Sequence, residues 1–314
     1  MLFAHLGEDA YRDASFLDGR MLTPKVNAQW APFTAVLDAL PPPRALQAIF
    51  HIGHVGSTLI SRLLGELPQL FTLREPAALR TLAEWRASPN AWFTSAQHAA
   101  RLDACLTLWS RVWRPQQTAL LKATSFASEL APALLARPDA RALLLGVPPH
   151  VYLETIFAAE ANRAEAVALA PSRLTRLNAR LGGPVFALAG MSEGERIALA
   201  WACEGSTLAA ARGPTTMTID FTWWLVDPTS GLIAAAAHLG ATPAPGVAAQ
   251  LVSGPIVARY AKATEHAYSA DLRATVLAQA RAEHGAEIAR GLGWLERTAA
   301  HPPITAALEM FAPR

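Results

Sequence analysis

Residues 48 to 64 read AIFHIGHVGSTLISRLL, and this stretch decides the fold of the chain. An apolar run ends near Ile52, a turn containing two glycines follows, and an amphipathic helix begins at Ser57. The glycines allow a tight turn that exposes backbone N–H groups, and the helix adds its positive N-terminal end. Ser57 and Thr58 are expected to cap the helix and to offer hydroxyls to an anion. The sequence therefore predicts a phosphate-binding loop made of Gly53, His54, Val55, Gly56, Ser57 and Thr58.

Two other phosphate-binding loops fit this stretch less well. The loop of nucleotide-hydrolysing proteins has a longer glycine spacing and ends in Gly-Lys-Ser/Thr, whereas Gly56-Ser57-Thr58 contains no lysine. A dinucleotide-binding fingerprint needs a third glycine and an acidic residue about twenty positions further on. Glu75 lies near that distance, but the third glycine is missing.

Apolar runs alternate with helical segments along the rest of the chain. Strands are predicted at 45–52, 70–73, 118–122, 141–146 and 215–219, with helices at 57–66 and 95–113 among the segments around them. This alternation is typical of an α/β fold with a doubly wound, mostly parallel sheet of about five strands. We expect a single domain over 1–314, with 1–44 as an N-terminal preamble and 159–213 as a helical insertion.

The composition describes an ordinary globular chain. Its 314 residues are 52% hydrophobic and 17% charged, and the formal net charge is +2. Basic residues are scattered, which gives no indication of a nucleic-acid or membrane partner. Cys105 and Cys203 are expected to be buried free thiols, and no Cys/His spacing predicts a metal site. Without a secretory leader or a long apolar helix, the sequence predicts a cytoplasmic location.

Several motifs in order resemble the sulfotransferase family over roughly residues 45 to 295. Its members follow the first strand with a loop of the form Arg/Lys-Ser-Gly-Ser/Thr-Thr, and many continue to an Arg-Glu-Pro segment, here Arg74-Glu75-Pro76. The further matching segments are Leu120–Thr124, Met217–Phe221, Leu225–Pro228, His238–Gly240 and the late basic stretch Arg259–Lys262.

The resemblance implies a fold of the P-loop class and transfer of a sulfuryl group from 3′-phosphoadenosine-5′-phosphosulfate to a hydroxyl or amine. The partners would then be a small-molecule donor and a small-molecule acceptor. The loop 53–58 would hold the 5′-phosphosulfate, and Arg259 and Lys262 would add positive charge. His54 and Lys122 would stabilise charge on the bridging oxygen, and Glu75 would activate the acceptor, without a metal.

The chain departs from the family's pattern at three places. His54 replaces the loop's Lys or Arg, Gly146 and Glu154 replace the Arg and Ser that grip the 3′-phosphate, and Thr124 replaces a base histidine. Two alternatives therefore stay open. One is a P-loop transferase with a different phosphorylated donor, for which magnesium dependence is expected. The other is a non-catalytic descendant that binds an anionic nucleotide or a protein. The acceptor and the oligomeric state are not predicted.

Overall fold

A computed structural model describes residues 1–87, 93–259 and 269–313. It contains a two-stranded antiparallel ribbon near the N-terminus and a central sheet of five strands. The strands are β1 (Leu2–Ala4), β2 (Ala28–Trp30), β3 (Leu46–His51), β4 (Leu70–Arg74), β5 (Thr118–Lys122), β6 (Ala142–Gly146) and β7 (Thr216–Asp220).

The five-stranded sheet is parallel throughout, with the spatial order β4-β5-β3-β6-β7. Every residue of β3, β4 and β6 is buried, because a parallel sheet is covered by helices on both faces. The predicted doubly wound parallel sheet is confirmed. Since β3 has β5 on one side and β6 on the other, the strand order reverses at β3, which is where such sheets form ligand crevices.

Fifteen α-helices surround this sheet in the described part of the chain. They are α1 (Glu8–Asp13), α2 (Phe33–Asp38), α3 (Ser57–Gly65), α4 (Ala77–Ala87), α5 (Ser95–Trp109), α6 (Ala131–Leu135), α7 (Pro149–Phe157), α8 (Glu160–Ala168), α9 (Ala170–Arg180), α10 (Glu193–Ala210), α11 (Phe221–Trp224), α12 (Pro228–His238), α13 (Val247–Val252), α14 (Ala270–Thr298) and α15 (Pro302–Met310). Short 3₁₀ segments lie at Gly19–Met21 and Ser125–Leu130. Within the described residues, no helix is both long enough and apolar enough to cross a membrane.

The N-terminal preamble is fastened to the sheet by Arg74, the last residue of β4. Its buried guanidinium donates to the carbonyl oxygens of Ala14 at 2.6 Å and Tyr11 at 2.8 Å, and also to that of Arg12. Burial lowers the pKa of Arg74 to about 10. Arg74 therefore turns to the preamble rather than to its neighbour Glu75.

The segment 159–213 is helical, and a buried ionic cluster holds it against the rest of the chain. Arg173 and Arg176 of α9 both bond Glu204 of α10, which is fully buried. Arg176 and Arg180 also bond Glu129, which lies in the 3₁₀ segment after β5. Charges buried this deeply require such partners, so α9, α10 and that segment are locked together. The division of the chain into a domain and an insertion stays a prediction.

The predicted helix 95–113 is shorter than expected. A capping box at Thr94 and Gln97 starts α5, and the helix ends at Trp109. Trp113, within the predicted helix, lies beyond the observed helix end and is half exposed.

Candidate functional site

Three candidate segments meet at the carboxyl edge of the sheet. The loop 52–56 follows β3, Glu75 follows β4, and Lys122 is the last residue of β5. Because these strands are parallel neighbours, their ends lie side by side. The structure therefore brings the predicted phosphate loop, the predicted acceptor base and the predicted lysine to one place.

The loop turns through three residues with positive φ, namely Gly53 (93°), His54 (55°) and Gly56 (70°). Gly56 is the N-cap of α3, and no side chain caps this helix. The capping role expected for Ser57 and Thr58 is therefore wrong, because both residues already lie inside the first turn. An uncapped helix start leaves the N–H groups of its first turn to a ligand or solvent.

The hydroxyl of Thr58 adds a second indication of a ligand. Thr58 is only 2% exposed, and its Oγ1 is buried without a hydrogen-bond partner. A buried polar group left without a partner costs about 1–3 kcal/mol, so such groups call for an explanation. At the uncapped start of α3, an anion that accepts this O–H would supply the missing bond.

Gly56 is required by packing as well as by its backbone conformation. A Cβ atom built on Gly56 would lie 2.1 Å from the ring of Phe221, the residue that follows β7. Phe221 in turn stacks on Trp224, with ring centroids 5.7 Å apart. The sequence showed no sign that Phe221 covers the loop, because the two segments are far apart along the chain.

Glu75 and Lys122 form a close pair at the sheet edge. The Lys122 ammonium, whose side chain is fully buried, donates to Oε1 of Glu75. The Glu75 N–H donates to the Lys122 carbonyl at 2.8 Å, and Glu75 has a φ of 48°. The simpler interpretation of Lys122 as a surface lysine is thus wrong. A non-glycine residue held in this left-handed conformation stores strain, which is common at functional sites.

His51 belongs to the framework of the site. Its Nδ1 accepts the N–H of Gly53 at 3.0 Å, so its Nε2 carries the proton and donates to the Ala123 carbonyl at 2.9 Å. The ring therefore joins the loop 53–58 to the segment after β5. Its Nε2 also lies 4.0 Å from Oε1 of Glu75.

His54 faces the helical segment 159–213. Its Nε2 lies 3.8 Å from Oε2 of Glu165 in α8, and its side chain is largely buried. The sequence had not singled out Glu165. His54 is the only side chain of the loop 53–58 that can carry a positive charge, and the Glu165 carboxylate lies beside it.

Positions 146 and 154, where the resembling family has residues that grip the 3′-phosphate, make different contacts in this chain. A Cβ atom on Gly146 would lie 2.3 Å from the ring of Phe311, so an arginine cannot stand there without moving this buried ring. The Glu154 carboxylate is buried and accepts two hydrogen bonds from Arg281 of α14, at 2.7 and 3.0 Å. The Glu154 carboxylate is thus paired with an arginine.

The remaining candidates lie on the late basic stretch. Arg259 is exposed, and Lys262 falls outside the described residues.

Asp220 accepts the Thr222 N–H at 2.8 Å and caps α11, as its simpler interpretation predicts. Within the ranges the structure describes, no group of three or more His, Cys, Asp and Glu side chains could hold a metal ion. Both cysteines are buried free thiols.

Three solved structures of sulfotransferases are similar to this chain at low sequence identity. No protein-family model and no curated protein matches the sequence. Among solved structures, the sulfotransferase domain of the curacin biosynthetic pathway is 14% identical, with 73% of this chain and 84% of that one covered and a TM-score of 0.42. The sulfotransferase of Alicyclobacillus acidocaldarius is 16% identical, with coverages of 82% and 96% and a TM-score of 0.40.

A third similar structure is the sulfotransferase domain of the Synechococcus PCC 7002 olefin synthase. It is 14% identical, with 87% of this chain and 96% of that one covered and a TM-score of 0.44. All three are sulfotransferases, the family that the motifs of this sequence resemble, and at these identities the likeness concerns the fold alone.

Proposed function

We propose that this protein transfers a sulfuryl group from a nucleotide phosphosulfate, 3′-phosphoadenosine-5′-phosphosulfate by resemblance, to a hydroxyl or amine of a small molecule. The observation that carries the proposal is the buried, unpartnered hydroxyl of Thr58 at the uncapped start of α3. Backbone N–H groups of the loop 53–58 and the hydroxyls of Ser57 and Thr58 would hold the phosphosulfate end.

The Glu75–Lys122 pair would serve the acceptor. A carboxylate at the sheet edge can take the proton from an acceptor hydroxyl as its oxygen attacks the sulfur, provided that Glu75 carries its charge. The buried Lys122 ammonium donates to this carboxylate and fixes it in place. The donor supplies a sulfuryl group on a phosphate leaving group, and His54 would donate a hydrogen bond to the oxygen that leaves. Positioning and preorganised charge account for such catalysis.

A second candidate is a related transferase whose donor lacks the 3′-phosphate. It is favoured by Phe311 packed against Gly146 and by the Glu154–Arg281 pair, which together occupy the region of the family's 3′-phosphate residues. The non-catalytic descendant remains the alternative in which the loop binds an anion without turnover.

Calorimetric titration distinguishes the proposed sulfuryl transfer from these two alternatives. We expect micromolar binding of 3′-phosphoadenosine-5′-phosphate, with adenosine-5′-phosphate and ATP plus magnesium as comparisons. Equal affinity for the bisphosphate and the monophosphate would favour the second candidate, because no group would then recognise the 3′-phosphate. Preference for ATP with magnesium would contradict sulfuryl transfer, since phosphoryl donors require the metal. Binding of none of the three would refute the proposal.

A further inference from the structure

The two basic side chains that the structure places at the loop 53–58 and at the adjoining strand end each have a carboxylate neighbour. Lys122 is paired with Glu75, and His54 lies beside Glu165. An anionic donor brings several negative charges, and backbone N–H groups alone provide only partial positive charge. A further cation is therefore needed near the loop.

Arg273, in the first turns of α14, occupies a suitable position. Its Cζ lies 5.9 Å from the ring centroid of Phe221, the same ring that lies against Gly56. One aromatic side chain thus contacts the phosphate loop and carries the guanidinium. Arg273 is half-buried, and across the described ranges it has no carboxylate partner.

Helix stability does not account for an arginine at this position. Ser269 is the N-cap of α14, so Arg273 stands close to the positive end of the helix, where a cation is unfavourable. Residues three and four positions away are Ser269, Ala270, Val276 and Leu277, and none of them is acidic. Among the described residues, the approach to the Phe221 ring is the interaction that the structure shows for this guanidinium.

We propose that Arg273 is a phosphate-binding residue of the loop 53–58, supplying the positive charge that Lys or Arg supplies within the loop in the resembling family. A guanidinium suits this task, because it is always charged, stacks on aromatic rings and offers forked donors to phosphate oxygens. The inference deepens the proposed function, since it assumes that the same loop binds the anionic end of the donor.

The test compares Arg273→Ala, Arg273→Gln and Arg273→Lys with Arg290→Ala, titrated with 3′-phosphoadenosine-5′-phosphate and separately with inorganic pyrophosphate. Arg290 is the matched control, because it lies on the same helix and pairs with Glu287 at the surface. Arg273→Ala and Arg273→Gln should raise Kd by about tenfold to a hundredfold, the range of a lost charge-assisted hydrogen bond. Arg273→Lys should lose less, and Arg290→Ala should leave Kd unchanged.

Salt dependence gives an independent readout. Wild-type binding should weaken as ionic strength rises, and binding by Arg273→Ala should weaken less steeply. Unchanged affinity in both neutral variants, or an equal loss in Arg290→Ala, overturns the assignment of Arg273 while the proposed function stands. If pyrophosphate binds and 3′-phosphoadenosine-5′-phosphate does not, the proposed nucleotide donor is wrong. The pyrophosphate titrations of the Arg273 variants then test the role of Arg273. If the wild type binds neither, both proposals fail.

Discussion

Replacement of Gly56 by alanine tests the geometry of the phosphate loop without any assumption about its ligand. Gly56 has a φ of 70°, and its missing Cβ would lie 2.1 Å from the Phe221 ring. The left-handed backbone costs an alanine about 1–2 kcal/mol. Forcing a methyl group into a packed ring adds about 1–3 kcal/mol. We therefore expect Gly56→Ala to lower the free energy of unfolding by about 2–5 kcal/mol.

Gly246 provides a control that separates the packing cost at Phe221 from the cost of the left-handed backbone. It is also an N-cap glycine in the left-handed conformation, with a φ of 79°, but no atom lies within 4 Å of its missing Cβ. Gly246→Ala should cost only the backbone term of about 1–2 kcal/mol. At about 2 °C per kcal/mol for a chain of this size, Tm should fall by about 4–10 °C for Gly56→Ala and by about 2–4 °C for the control.

Thermal unfolding followed by circular dichroism measures both variants. The excess cost of Gly56→Ala should shrink when Phe221→Leu is introduced with it, because the two residues share one contact. Equal Tm values for Gly56→Ala and Gly246→Ala would refute the packing of Phe221 on the loop. The inference that rests on this ring, the placement of Arg273, would then lose its support.

Three further predictions concern single side chains. Thr58→Val should raise the free energy of unfolding by about 1 kcal/mol, because it removes an unpartnered buried hydroxyl. The same variant should bind 3′-phosphoadenosine-5′-phosphate more weakly. A variant that is less stable and binds equally well would contradict the ligand role of Thr58. Arg74→Met should expose residues 1–30 to limited proteolysis before the sheet, because three backbone carbonyls lose their donor. Burial raises the pKa values of Cys105 and Cys203 to about 11, above the ordinary value of 9.0. Neither thiol should therefore react with a disulfide reagent at neutral pH until the protein unfolds, and the stability they contribute should be present below pH 9 and fall between pH 9 and about 11.

The central sheet and its first loop were predictable because their signals are local. The apolar run of β3, the glycines at 53 and 56 and the leucine face of α3 lie within one short stretch of sequence. Buried strands 118–122 and 141–146 were recognised from the same kind of run. Parallel pairing then follows from the alternation of strands and helices, and it brings Glu75 and Lys122 to one edge without further information.

The contacts that were not predicted join segments far apart along the chain. Phe221 packs on Gly56, Phe311 fills the space beside Gly146, and Arg281 pairs with Glu154. Each depends on how distant helices are placed on the sheet, which neither periodicity nor a motif records. For the same reason the sequence does not show that Arg74 bonds backbone carbonyls of the preamble.

The two ends of the proposed donor site differ in a way that bears on its ligand. At the α3 end, Thr58 keeps a buried hydroxyl without a partner, which lowers stability unless a ligand completes it. At the β6 end, each departure from the family's pattern is matched by a second residue. Gly146 leaves room for Phe311, and Glu154 is paired with Arg281.

If the proposed function is right, the difference reflects a retained phosphosulfate end and a rebuilt nucleotide end. The comparison of bisphosphate with monophosphate is therefore the titration on which the identity of the donor depends.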